Sequence, residues 1–213
     1  MKKDLDYQYS AYHLALNLNR RTCTYCNRVY TTTMTKYKGG KLMRPQFDHW
    51  YYKAKYPLLA LSFYNLIPSC NTCNSSSKGS SEFNLEVNIH PYVDLNQTNE
   101  FSFNYIHFAS KDRYKVFIKK TNDSTNKALQ TLSTLGIDTM YNAHIEELKD
   151  LIKIRNSYTD KYIENLQKFF PKNSLKKGEI FRLLFGTEMD VSDFHKRPFS
   201  KFKHDILKQL KII

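Results

Sequence analysis

The sequence predicts an α+β fold, and three observations carry the prediction. Two Cys-x-x-Cys pairs, Cys23/Cys26 and Cys70/Cys73, bracket a segment dense in aromatic and β-branched residues. Residues 101–109 and 113–120 alternate apolar and polar side chains around Ser110-Lys111-Asp112, the pattern of a β-hairpin. Beyond Asn122 the apolar residues recur at helical spacing instead. The chain therefore divides into residues 1–122, organised by the cysteines, and a helical region at 123–213. Its 213 residues, 41% of them hydrophobic, suffice for one medium domain or two small ones with a packed core.

In chain order, residues 4–19 place Leu5, Tyr9, Tyr12 and Leu16 at three- and four-residue steps, which predicts an amphipathic helix on the core. The following TCTYCNRVYTTTM reads as a strand leaving a metal knuckle. Lys38-Gly39-Gly40-Lys41 marks a turn or loop. Pro57 and Pro68 punctuate the aromatic stretch up to Cys70, which favours short elements over a long helix. After Cys73 a helical turn is expected to stop at Gly79. Ser124 and Gly136 are the expected caps of KALQTLSTLG, and Asp138 that of a longer helix with apolar positions from Met140 to Phe170, ended by Pro171. Residues 179–186 and 197–213 supply shorter helices.

Each cysteine pair can present two thiolates from one tight turn, and two such turns complete the four-thiolate shell that zinc accepts. Two disulfides are the alternative, but MKKDLDYQYS lacks the apolar stretch of an export signal, and a cytoplasmic chain keeps its thiols reduced. Zinc ribbons usually separate their pairs by about 15 to 20 residues. Here 43 residues lie between Cys26 and Cys70, so the insert must carry a substructure of its own.

Charge narrows the partners. Lys and Arg number 33 against 20 acidic residues, and residues 1–56 hold eleven Lys/Arg against three Asp/Glu. A surface charged this way attracts polyanions, with counterion release supplying sequence-independent affinity. No apolar run approaches the length of a membrane span, so no membrane partner is expected.

The insert contains Asp48-His49 and Asn65, and Asn74 directly follows Cys73. With Cys23-x-x-Cys26, the string Asn65-Leu66-Ile67-Pro68-Ser69-Cys70-Asn71-Thr72-Cys73-Asn74, and Lys78-Gly79, this resembles the HNH endonucleases, in the zinc-containing variant whose last motif position is Asn. The resemblance covers about residues 20–92 and departs from the family name in having Asn74 where His would stand. It implies a ββα-metal core, with His49 as general base, Asp48 and Asn74 as ligands of a catalytic Mg2+ or Mn2+, and Asn65 bracing the loop that holds His49. Small HNH proteins with extra helices are similar to the nuclease components of Septu-type anti-phage systems, which implies a partner protein such as an ATPase from the same operon.

Elementary chemistry asks for the same roles. Phosphodiester hydrolysis needs a deprotonated water and neutralised charge on phosphorus. An imidazole can take that proton at neutral pH, and a carboxylate with an amide oxygen suits a hard divalent cation. Successive side chains on a strand alternate faces, so a loop or bulge is expected at the Asp48-His49 dyad. Arg28, Lys78 and His90 are candidate phosphate contacts, against the plainer reading of solvated loops and a packed turn. Trp50, Tyr51, Tyr52 and Tyr56 are expected in the core rather than on bases. The basic run from His195 to Ile213 is expected to lie along a nucleic-acid backbone or to dock on a partner, against the plainer reading of a solvated face over a normal core. The expected function is a metal-dependent endonuclease acting on DNA; the alternative is a zinc-stabilised module that binds nucleic acid without cutting it.

Overall fold

The computed structural model describes residues 9–37, 40–94, 99–121, 126–157, 165 and 177–213. Leu5, Lys38, Gly39, Ser124, Ile163, Leu166, Phe170 and Pro171 fall outside these residues. The fold is mixed α+β with small two-stranded sheets.

Helix α1 (Ala11–Leu18) begins where the Ser10 N–H donates to His13 Nδ1 at 3.0 Å and ends at Asn19, whose φ of 46° is left-handed. Ala15 is its buried residue, whereas Tyr9 and Leu16 stay exposed, so the expected apolar face is not the packed one. The next segment is a knuckle and not a strand. Thr22 and Tyr30 form an isolated antiparallel bridge, inside which the Cys23 N–H donates to Val29 O and the Asn27 N–H to Cys23 O.

Strands β1 (Met34–Thr35) and β2 (Lys41–Met43) pair antiparallel. β3 (Gln46–His49) and β4 (Leu66–Ser69) then form a second antiparallel pair in continuous register, from Gln46 opposite Ser69 to His49 opposite Leu66. A π-helix, Thr72–Lys78, follows β4, and the Gly79 N–H reaches back five residues to Asn74 O. Gly79 ends the helix at φ 50°, as expected of it, since a Cβ there would also meet Ser75 O at 3.3 Å.

The expected hairpin is β5 (Phe101–Phe108) with β6 (Arg113–Lys120), closed by Asp112 in the left-handed region. Its inward positions Phe103 and Val116 are buried. Helix α2 (Lys127–Thr134) ends before Gly136 at φ 62°. There Gly136, not Asp138, opens α3 (Ile137–Asn142), and a turn at Ala143-His144 separates α3 from α4 (Ile145–Ser157), so the expected single helix is divided. α5 (Lys177–Phe185), a 3-10 segment (Val191–Lys196) and α6 (Ser200–Gln209) complete the described chain.

Residues from both sides of the 122/123 boundary share one interior. Trp50, Phe103, Leu132, Tyr141, Leu148 and Phe202 belong to the same buried cluster as the cysteines. The boundary is thus a change of element type within a common core. The basic C-terminal run has the plainer form expected of it, a core face with solvated lysines: Lys201, Phe202, His204, Asp205, Ile206 and Leu207 on α6 are buried, while Lys208 and Lys211 are exposed. Lys201 can be buried because its ammonium lies 2.5 Å from Asp205 and donates to Phe101 O, while the Phe103 N–H donates to the same carboxylate. No helix among the described residues is long and apolar enough to cross a membrane.

Candidate metal centre and the strand beside it

The knuckle and the start of the π-helix bring Cys23, Cys26, Cys70 and Cys73 together, with all four sulfurs within 4.8 Å of one another. All four are buried free thiols, and Cys26 Sγ lies 4.0 Å from Cys70 Sγ. That is nearly twice a disulfide bond, and close to the roughly 3.8 Å between sulfurs of a tetrahedral zinc thiolate. The Cys70 N–H donates to Cys23 Sγ at 3.2 Å and the Cys73 N–H to Cys70 Sγ at 3.4 Å, so backbone dipoles already favour negative sulfur. Burial pushes the Cys23 thiol well above its ordinary range. Hydrogen bonding with the other three raises Cys73 and lowers Cys70. Burial and hydrogen bonding thus keep protons on part of the cluster, and four thiolates would need a cation among them; the arrangement is compatible with structural zinc.

Asp48 and His49 occupy the last two positions of β3, in unbroken register with β4. The expected loop or bulge at the dyad is absent, because the pairing runs through both residues, and their side chains leave on opposite faces. Asp48 is 3% exposed. Its Oδ2 accepts from the Tyr25 hydroxyl at 2.6 Å, and its Oδ1 from Lys78 Nζ at 3.2 Å. Burial, and then the charge of Asp48, holds the Tyr25 phenol well above its usual range, so it remains a donor.

Lys78 is 2% exposed, donates also to His49 O at 2.8 Å and lies over the Phe83 ring. This corrects its assignment as a phosphate contact, because in this geometry the ammonium is enclosed by protein acceptors. Asn74 does not cap the helix; its Nδ2 donates to Gln46 Oε1 at 2.8 Å. Gln46 and Asp48 are two apart on β3 and share a face. The π-helix thus lies along that face in two rungs, Asn74 to Gln46 and Lys78 to Asp48.

On the other face, His49 Nε2 sits 3.1 Å from Ala60 O, which requires the proton on Nε2. Asn65 is buried, and its Oδ1 accepts from the Tyr51 N–H at 2.6 Å. Its Nδ2 donates to Tyr51 O and Leu59 O, so one amide ties together both ends of the loop containing Ala60.

The two remaining candidates for nucleic-acid contact also turn inward. His90 is buried against Trp50, with Nδ1 accepting from the Tyr92 N–H, and burial lowers its pKa. Arg28 points its Nη1 at His144 Nε2, 2.6 Å away. Trp50 is fully buried and donates to Ile89 O, as a core residue should.

Sequence reasoning passed over Tyr25 and Gln46. Tyr25 lies between the first two cysteines, and Gln46 stands two residues before Asp48 on the same strand, so both were within reach of a spacing argument. A cavity of about 340 Å3 lies behind the knuckle, lined by Arg20, Tyr141 and His195 among others, and none of Asp48, His49 or Asn74 borders it. No protein-family model, curated protein or solved structure matches the chain.

Proposed function

We propose that this protein is a metal-dependent endonuclease that hydrolyses phosphodiester bonds in DNA, with His49 as its general base. The observation that supports this reading most is the pairing of His49 Nε2 with Ala60 O, on a loop clamped by Asn65. The carbonyl fixes the tautomer and leaves the Nδ1 lone pair free to take a proton from water. The short hairpin carrying the imidazole is tied through Cys70 and the Cys23 sulfur to the zinc-type cluster, which gives it the rigidity a positioned base requires.

Asp48 and Asn74 are the residues that would hold Mg2+ or Mn2+: a carboxylate and an amide oxygen are hard donors, and their rungs share one face of β3. Such an ion, when bound, supplies charge neutralisation at the phosphate and stabilises the departing oxygen. Lys78 holds Asp48 Oδ1 in the meantime and keeps the buried carboxylate paired. Tyr25 anchors the other oxygen and fixes the plane of the group. Asn65 contributes only by positioning, through the loop.

Incubation of supercoiled plasmid with the protein and Mg2+ or Mn2+ tests the reading. Nicking is expected, abolished by EDTA and lowered about a hundredfold or more in His49→Ala. A second reading, a zinc module that binds nucleic acid without cutting, is favoured by one observation: both oxygens of Asp48 already have protein partners. A gel shift without nicking, unchanged by His49→Ala, would establish that alternative.

A further inference from the structure

The loop between β3 and β4 is well built and apolar on its outside. Successive turns close it: the Tyr56 N–H donates to Tyr52 O, Leu59 to Tyr56 O, Ala60 to Pro57 O, Ser62 to Leu59 O and Asn65 to Ser62 O. Asn65 clamps it from within. Yet Leu58 is 97% exposed and Leu61 92%, with Phe63 and Tyr64 also exposed beside them. A floppy segment shows apolar groups in passing; a hydrogen-bonded one displays them permanently, which marks a contact surface.

Two observations identify what meets it. Ala60, which separates the two leucines, gives its carbonyl to His49 Nε2, so the leucine tip begins one hydrogen bond from the proposed base. Beside the tip Lys53 is exposed, while Lys55 is paired with Glu82 and Lys78 is turned inward on Asp48. An apolar tip beside the proposed base and next to an exposed lysine suits a polyanion with a stackable interior. Leucine is among the side chains that proteins drive between base steps, unstacking them and bending the duplex.

We infer that Leu58 and Leu61 form a wedge that enters duplex DNA beside the phosphate presented to His49, opening the base stack so that the backbone bends toward the imidazole. The inference rests on the nuclease reading for its placement, but the wedge can be measured without cleavage. Because both leucines project into solvent, the Leu58→Gln/Leu61→Gln double variant should keep its fold and its zinc content.

The experiment uses the full chain carrying His49→Ala, with zinc measured, and a duplex containing 2-aminopurine. Binding should raise the fluorescence of the probe base. With the double leucine substitution added, the rise should vanish and affinity should drop about tenfold, roughly 1.4 kcal/mol. A duplex already opened by mismatches at the probe should recover most of that affinity, because the unstacking is then done in advance. Equal fluorescence and affinity with and without the leucines would overturn the wedge. So would an unchanged duplex affinity together with lost binding to phosphatidylserine-containing vesicles, which would mark the loop as a lipid contact. Plasmid nicking by the wild-type chain is scored separately, so a wedge without nicking and nicking without a wedge are distinct results.

Discussion

Two buried lysine–aspartate pairs invite comparison, one at the proposed site and one in the helical region. Lys201 and Asp205 sit one turn apart on α6, 2.5 Å from each other, and bond Phe101 O and the Phe103 N–H of β5. Lys78 and Asp48 come from different elements, are 3.2 Å apart and are joined by Tyr25. Both ammonium groups lie over an aromatic ring, Phe101 in one case and Phe83 in the other. The first pair docks a helix on a strand, and its partners are the groups that the strand edge must satisfy. The second shares its face with an amide rung, Asn74 on Gln46, and so has hard oxygen donors beside it. The same chemical pair thus fastens a helix to a strand in one place and, in the function proposed above, holds the carboxylate that would take the cation in the other.

Removing zinc should disturb the comparison most. Structural zinc contributes on the order of 10 kcal/mol in small zinc domains, and Tyr25, which holds Asp48, lies inside the knuckle. Chelation, or Cys73→Ser, is expected to abolish the site pair and the cooperative thermal transition together; an unchanged melting curve in chelator would mean that thiol packing alone holds the knuckle. Next in size is Asp205→Ala, which leaves Lys201 buried without its carboxylate and should cost about 3 to 5 kcal/mol in urea unfolding, with manganese binding unaltered.

The sharpest discrimination comes from matched lysine replacements. Lys78→Met leaves Asp48 beside two hard donors, so Mn2+ should restore about 2.7 kcal/mol of stability at a hundred times its dissociation constant. Lys201→Met should gain nothing from the same ion. Equal responses in thermal melts would remove Asp48 from the ligand set.

The smallest effect concerns the buried histidines. Burial holds His90 below its ordinary range, and His144 and His195 likewise. The native chain then binds fewer protons than the unfolded one, so stability is complete above about pH 6.5 and declines as pH falls below it. His90→Gln should flatten part of that decline in urea midpoints taken between about pH 7.5 and about pH 5.5. A slope untouched by His90→Gln would assign it to His144 and His195.

Local patterns were readable in proportion to how local their physics is. The β5–β6 hairpin, the stop at Gly79 and the cysteine cluster depend on alternation, a positive φ and ligand spacing, all of which a short window of sequence contains. Lys78 and Lys201 depart from what residue type suggests for one reason. Their ammonium groups are buried against partners supplied from elsewhere, Asp48 in β3 and the edge of β5, whereas the packed turn at His90 was already the plainer reading. α1 was misjudged because Ala15, not the larger Leu16, meets the interior. The regular strand through Asp48 and His49 was masked by the expectation of a bulge, although alternation itself required opposite faces.

Asn27, at the end of the first knuckle, is left-handed with φ 50°. Its side chain donates to Phe194 O and Arg197 O, and its carbonyl accepts from the Phe199 N–H at 2.7 Å. These partners lie 167 residues and more downstream. A ribosome must therefore add all of those residues after making the first cysteine pair before that turn can be completed. A nascent polypeptide carries the first two thiols without the support that sets their turn, so the knuckle stays unfinished until synthesis has passed Phe199.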